Sequence, residues 1–262
     1  MALDRKTIEL LAAHVEAAEL EVRDITKITD DYPQMDWDDA YAIQDEIRRR
    51  KEARGNKTVG LKAGLTSRAK MKQMGVETPC FGFVSDYISR PDGGEIKMSE
   101  LIHPKVEAEI CIVTKSPLRG PGCHLGAVLA AIDFVVPAVE IIDSRYRDFK
   151  FDLKSVIADN TSASRFVIGG RMRAVEELDL RTLGVVMEKN GEIVAMAAGA
   201  AVLGHPAAAV AMMANHLGAR GQEIPAGSFI MTGGVTEAIA VNAGDSISVR
   251  YQDLGTVSMR FV

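Results

Sequence analysis

The stretch His103-Pro104-Lys105-Val106-Glu107-Ala108-Glu109-Ile110-Cys111-Ile112-Val113 decides how the chain is read. Val, Ile and Cys recur over a short span, and the spacing predicts a β-strand. Successive side chains of a strand point to opposite faces. Glu107 and Glu109 therefore share one face, while Ala108, Ile110 and Ile112 share the other, which reads as core. Two carboxylates two positions apart on a partly buried face repel. Such a pair is costly unless a cation sits between them or a proton is shared.

A third carboxylate stands in similar company. The run Ile132-Asp133-Phe134-Val135-Val136-Pro137-Ala138-Val139-Glu140-Ile141-Ile142-Asp143 is apolar on both sides of Glu140. A charged residue inside a buried strand is rarely there for solubility. Glu107, Glu109 and Glu140 together make a hard oxygen-ligand set suited to Mg²⁺ or Mn²⁺, not to zinc or copper. The alternative is that Glu107 and Glu109 line a solvated face and Glu140 pairs with an arginine; an E-x-E spacing alone does not separate the two.

Upstream, apolar positions at helical spacing (Ile8, Leu10, Leu11, Val15, Ala18, Leu20) predict a helix over 5–22. A second helix is expected over Trp37–Ala53, with Asp36 as N-cap and Gly55 as stop. Its end, Arg48-Arg49-Arg50-Lys51, suits a helix C-terminus and reads as a solvated face. The run 59–67 is a short strand ending in a glycine-containing turn, after which Thr66 or Ser67 can cap a helix over 68–74. Lys62 sits mid-strand between apolar neighbours. It either snorkels at an edge or is aimed into a cleft. These glycines form neither a Walker-type loop nor G-x-G-x-x-G.

A strand near Phe81-Gly82-Phe83-Val84 and a turn at Pro91-Asp92-Gly93-Gly94 precede the Glu107/Glu109 strand, and a short helix over Leu125–Ala131 leads into the Glu140 strand. Asp159-Asn160-Thr161-Ser162 is a cluster of small polar residues. Asn160 and Ser162 can hold a substrate carboxylate or close a turn with their own side chains. Further on, Asn190-Gly191 predicts a hairpin, Gly204-His205-Pro206 opens a helix over 207–217, and a second hairpin turns at Asp253-Leu254-Gly255. His205 reads as a cap or a satisfied loop histidine. Met231-Thr232-Gly233-Gly234 is a strand end whose glycine backbone can approach a ligand closely or simply turn.

With 262 residues, 47% hydrophobic and 26% charged, the chain has an ordinary globular composition. A net charge of −5 argues against a nucleic-acid footprint. No apolar run approaches the ~20 residues of a membrane span, and the N-terminus opens on charged residues rather than a signal core. Cys80, Cys111 and Cys123 are an odd count without C-x-x-C, which fits free thiols, small buried hydrophobes and a cytoplasmic location.

Taken together, Gly-Leu-Lys-Ala-Gly-Leu-Thr-Ser at 60–67, His-Pro-Lys-Val-Glu-Ala-Glu at 103–109, Pro-Ala-Val-Glu-Ile-Ile-Asp-Ser-Arg at 137–145, Ala-Asp-Asn-Thr-Ser at 158–162, Gly-His-Pro at 204–206 and Met-Thr-Gly-Gly at 231–234 resemble the hydratase/decarboxylase family of meta-cleavage pathways, within the fumarylacetoacetate hydrolase superfamily. The resemblance spans nearly the whole chain. It implies an α+β fold: a mixed-β roll with helices packed outside, an N-terminal helical cap over 1–57 and a compact catalytic unit over 58–262. It implies Mg²⁺, replaceable by Mn²⁺, held by Glu107, Glu109 and Glu140, with Lys62 as catalytic residue. Leu65, Thr66, Asn160, Ser162 and Thr232 are the implied substrate contacts. The segments 48–57, 73–79 and 149–153 resemble the decarboxylase branch.

The implied reaction converts 2-oxo-3-hexenedioate to 2-hydroxypenta-2,4-dienoate and CO₂, with the cation acting as a Lewis acid on the ketone. Hydration of 2-hydroxypenta-2,4-dienoate is the alternative, and metal-dependent dicarboxylate binding without catalysis a third. A small 2-oxo dicarboxylate is the expected ligand. The resemblance also implies a homo-oligomer and association with a companion vinylpyruvate hydratase; charge and the lack of a long apolar run lead to no expected nucleic-acid or membrane partner.

Overall fold

The computed structural model describes residues 2–67, 71–72 and 77–262. Two helices open the chain, α1 (Arg5–Leu20) and α2 (Trp37–Ala53). Each starts where an aspartate satisfies free N–H groups. Asp4 accepts from the Thr7 N–H at 2.7 Å, and Asp36 and Asp39 form a reciprocal capping box. Past the end of α2, Gly55 adopts a φ of +91°, which ends the helix as expected. In the helix expected over 68–74, residues 68–70, 73 and 74 lie outside the described ones.

The described residues form thirteen strands: β1 (Thr58–Gly64), β2 (Cys80–Ser85), β3 (Ser89–Arg90), β4 (Gly94–Ile96), β5 (Lys105–Thr114), β6 (Ile132–Ile142), β7 (Ala163–Ile168), β8 (Gly184–Lys189), β9 (Glu192–Ala198), β10 (Phe229–Gly234), β11 (Ile239–Ala240), β12 (Ser246–Tyr251) and β13 (Gly255–Phe261). One sheet runs β2-β1-β10-β5-β6-β7-β3, with β11 also paired to β5, and the other runs β4-β13-β12-β8-β9. Pairs β1/β10, β3/β7 and β4/β13 are parallel and the rest antiparallel, so the architecture is the expected mixed-β, α+β fold. The Asn190-Gly191 hairpin forms with positive φ at both residues, as its turn type requires.

The apolar face of β5 lies in the main core. Val106, Ala108, Ile110 and Ile112 pack against Val249, Val257 and Phe261 of the second sheet and against α5 (Pro206–Ala219). The short helix α3 (Leu125–Ala131) lies against α5. A second core joins α1 and α2 to Phe83, Tyr146 and Ile157. Part of that contact comes from α4 (Leu153–Ala158), a helix not expected from sequence, as β7 was not.

The cationic end of α2 departs from the reading of a solvated face. Lys51 is 4% exposed and pairs with Glu19 at 2.7 Å, and Arg50 pairs with the buried Glu16 at 2.6 Å. Arg49 alone keeps the expected exposure. Cys80 and Cys111 are buried free thiols, whereas Cys123 is only half-buried.

Candidate metal centre

The register of β5 against β6 builds the site. Glu107 stands directly opposite Glu140, and Glu109 opposite Ala138. Directly paired residues of an antiparallel ladder project from the same face. The three carboxylates therefore converge, with one oxygen from each lying within 4.8 Å of the others. Glu109 and Glu140 are fully buried, and Glu107 is partly so. This brings together Glu107 and Glu109, singled out by strand alternation, and Glu140, singled out as a charge in an apolar run.

Lys62 enters from β1. It is 1% exposed, so it is aimed inward and not at an edge. Its Nζ lies 2.5 Å from Glu140 Oε1 and donates to the Thr161 carbonyl at 2.8 Å. On the other side, the Gly233 N–H donates to Glu109 Oε2 at 2.7 Å. Gly233 has a φ of +113°, and a Cβ there would lie 2.0 Å from Thr66 Oγ1. Only glycine brings that N–H to Glu109. The Met-Thr-Gly-Gly motif was the available signal, but a glycine pair does not reveal which side chain its backbone will meet.

Burial, together with the neighbouring Glu140 and Glu107, pushes the Glu109 carboxyl well above the usual carboxylate range. Burial raises Glu140 as well, against the pull of Lys62. Glu109 Oε1 is buried and has no hydrogen-bond partner among the described residues. Crowded carboxylates, a hard donor set and an unsatisfied buried oxygen are what a divalent cation would relieve, so these residues fit one.

Other expected contacts are largely engaged with the protein itself. Leu65, with a φ of 57°, packs against the N-terminal core, and Thr66 is buried against Gly233. The Thr232 hydroxyl donates to the Ile110 carbonyl at 2.7 Å. Asn160 uses both atoms of its amide on the backbone of Phe83, at 2.9 Å each. The Ser162 hydroxyl donates to Asp159 at 3.3 Å. Asn160 and Ser162 flank the Thr161 carbonyl that meets Lys62, and Thr66 lies against the Gly233 turn. The Thr161 carbonyl was missed, because nothing in a residue's identity marks its backbone oxygen for use. His205 is an N-cap, accepting from the Ala207 N–H.

The chain is also similar to known proteins along its length. The family model for the fumarylacetoacetate (FAA) hydrolase C-terminal matches residues 67–262. A 4-oxalocrotonate decarboxylase of Pseudomonas putida is 66% identical over 260 residues, covering 99% of this chain and 98% of its own length. A 2-hydroxyhexa-2,4-dienoate hydratase of Comamonas testosteroni is 37% identical, covering 98% of both. The solved structure of 4-oxalocrotonate decarboxylase from Pseudomonas putida G7, complexed with magnesium and adipate, superposes with a TM-score of 0.98 over 99% of both chains at 66% identity. A carboxylate triad on a mixed sheet, with matches along the full length, places the chain in the fumarylacetoacetate hydrolase family.

Proposed function

We infer that the protein is a Mg²⁺-dependent lyase that decarboxylates 4-oxalocrotonate (2-oxo-3-hexenedioate) to 2-hydroxypenta-2,4-dienoate and CO₂, a step of aromatic catabolism by meta-cleavage. The observation that carries this reading is the 66% identity to a decarboxylase along the whole chain, against 37% to a hydratase of equal coverage. The relative solved with magnesium and the six-carbon dicarboxylate adipate supports both the cofactor and the substrate class.

Glu107, Glu109 and Glu140 would hold the magnesium ion, which when bound supplies Lewis-acid polarisation of the substrate's keto group. The chain's own residues do the rest. The bond between the distal carboxylate and C5 breaks, and its electron pair moves through the alkene to the keto oxygen, giving a dienolate that takes up one proton. The Lys62 ammonium, held beside Glu140, opposes the charge that develops on that oxygen. The half-buried Leu65 would provide apolar surface where a departing carboxylate is poorly solvated. Leu65, Thr66, Asn160, Ser162 and Thr232 shape the pocket wall.

A homo-oligomer and association with a companion vinylpyruvate hydratase belong to the same reading. The open edge strand β9 carries Ile193 and Met196 at 55% and 71% exposure, which supports a covered face in an assembly. Three unpaired cysteines support a cytoplasmic location. Among the described residues no helix is long and apolar enough to cross a membrane.

The test is to strip the protein of metal, add 2-oxo-3-hexenedioate with and without Mg²⁺, and measure CO₂ and dienol absorbance together. Stoichiometric, Mg²⁺-dependent CO₂ release is expected. No CO₂, with hydration of 2-hydroxypenta-2,4-dienoate in its place, would reassign the chain to the hydratases.

A further inference from the structure

Asn160, Thr161 and Ser162 follow one another at φ of 47°, 53° and 59°. Residues with a Cβ rarely adopt this left-handed conformation, and three in succession need external restraint. Arg145, 3% exposed, supplies it from both sides. Its Nη2 donates to the carbonyl of Asp159, just before the segment. Its Nη1 donates to the carbonyl of Ala163, just after it, at 2.9 Å, and to that of Asp143 at 2.7 Å. Its Nε pairs with Asp159 Oδ1. The other Asp159 oxygen accepts from the Arg145 N–H and the Ser162 hydroxyl, each at 3.3 Å. Asn160 ties the segment to Phe83 from the opposite side. The bracing presents one group to the site, the Thr161 carbonyl, which accepts from Lys62 Nζ at 2.8 Å.

We propose that Arg145, with Asp159, is a positioning residue for the reaction: it holds 160–162 in left-handed form so that the Thr161 carbonyl fixes the Lys62 ammonium beside the three glutamates. The proposal rests on the reading of Lys62 as a working group of the site. Arg145 directs its hydrogen bonds to backbone carbonyls and Asp159, so it acts through the segment and not on substrate. The planar fork of a guanidinium can bond several carbonyls and a carboxylate at once, and a lysine ammonium cannot reproduce that pattern.

Arg145→Lys keeps the charge and removes the fork. One arm measures acetylation of each lysine in the folded protein by mass spectrometry. Lys62 is 1% exposed and should be protected in the wild type. In R145K its labelling should rise about tenfold relative to Lys189, which is paired with Asp245 away from the segment. The second arm is a kinetic cycle. R145K should lower kcat about tenfold with KM changed less than about twofold, and should cost less than about twofold more in a Lys62→Met background. Asp159→Asn, which keeps the side-chain volume and loosens the pair, should move both readouts the same way and serves if R145K does not fold. Unchanged Lys62 labelling, or the same kcat factor with and without Lys62, would overturn the proposal and leave Arg145 purely structural. The labelling arm is independent of the reaction, so a wild type that releases no CO₂ would sink the decarboxylase reading while labelling still decides the clamp.

Discussion

Glu109 depends on one backbone N–H, and that N–H depends on a residue without a Cβ. Gly233→Ala would set a methyl 2.0 Å from Thr66 Oγ1 at a φ of +113°. We expect a stability loss of roughly 1–2 kcal/mol from the backbone conformation alone, and more from the clash. Mg²⁺ affinity should fall with it, as read by calorimetric titration. Gly55→Ala is the control: it shares the positive φ but has nothing within 4 Å, so metal affinity should hold. Glu107→Gln or Glu140→Gln should abolish activity and weaken Mg²⁺ binding, whereas Lys62→Met should lower kcat more than metal affinity; near wild-type turnover in either glutamine variant would remove the site. The glutamates were legible because strand alternation puts residues two apart on one face, and Glu140 was legible as a charge in an apolar run. Gly233 was not, because its partner lies 124 residues away in sequence and the contact is made by backbone.

Helices α1 and α2 were readable to within two residues, since caps and apolar periodicity are local signals. Their contact was not. Half of the cationic end of α2 finds its partners on α1, Arg50 on Glu16 and Lys51 on Glu19, and Arg54, just past the helix, also pairs with Glu16. Helix α4 escaped notice because six residues are under two turns, too few to display a period. The Glu19 network carries a pH dependence. Burial alone would raise its carboxyl, but Lys51 and then Arg145 outweigh it and lower it from 4.5 to about 2. An acid depressed on folding stabilises the protein above its unfolded value, and that stability is lost as pH falls from 4.5 towards 2. The shift corresponds to about 3 kcal/mol. His216, held to about 4 by burial between Tyr41 and Phe81, acts in the same direction between 6.5 and 4. In urea denaturation, Glu19→Gln should be destabilised by about 3 kcal/mol at pH 7, because Lys51 is left buried and unpaired. The gap to wild type should narrow as pH drops below 4.5; a gap constant from pH 7 to 3.5 would show that the pair does not carry this stability.

At the scale of the molecule, metal and cap both bear on stability through buried groups. Three converging carboxylates repel without a cation, so chelation should lower Tm. With Mg²⁺ at 100-fold over its Kd the linkage is about 2.7 kcal/mol, which for a chain of this length is about 5 °C. Individual strands and hairpins were legible from apolar runs and turn residues, and the mixed-β class from the family resemblance, but the way the two cores share elements was not, because it depends on long-range docking. We propose that 1–57 is a cap segment and 58–262 the catalytic unit, yet the second core is built from both. Ile8, Leu11, Val15, Ile43 and Ile47 from the first pack with Phe83, Tyr146, Val156 and Ile157 from the second. Cap removal would expose those four side chains, and each costs about 1.5–3 kcal/mol when taken from core to water. That loss is comparable to the whole stability of a typical domain. It would also free α4 and the backbone after it, including the Asp159–Ser162 segment that touches Lys62. A chain of residues 58–262 alone should therefore aggregate or bind a hydrophobic dye, and release no CO₂. A soluble, Mg²⁺-binding 58–262 fragment with a cooperative melt would mean that the sheets and the glutamate site are self-sufficient, and that the cap serves substrate closure instead of folding.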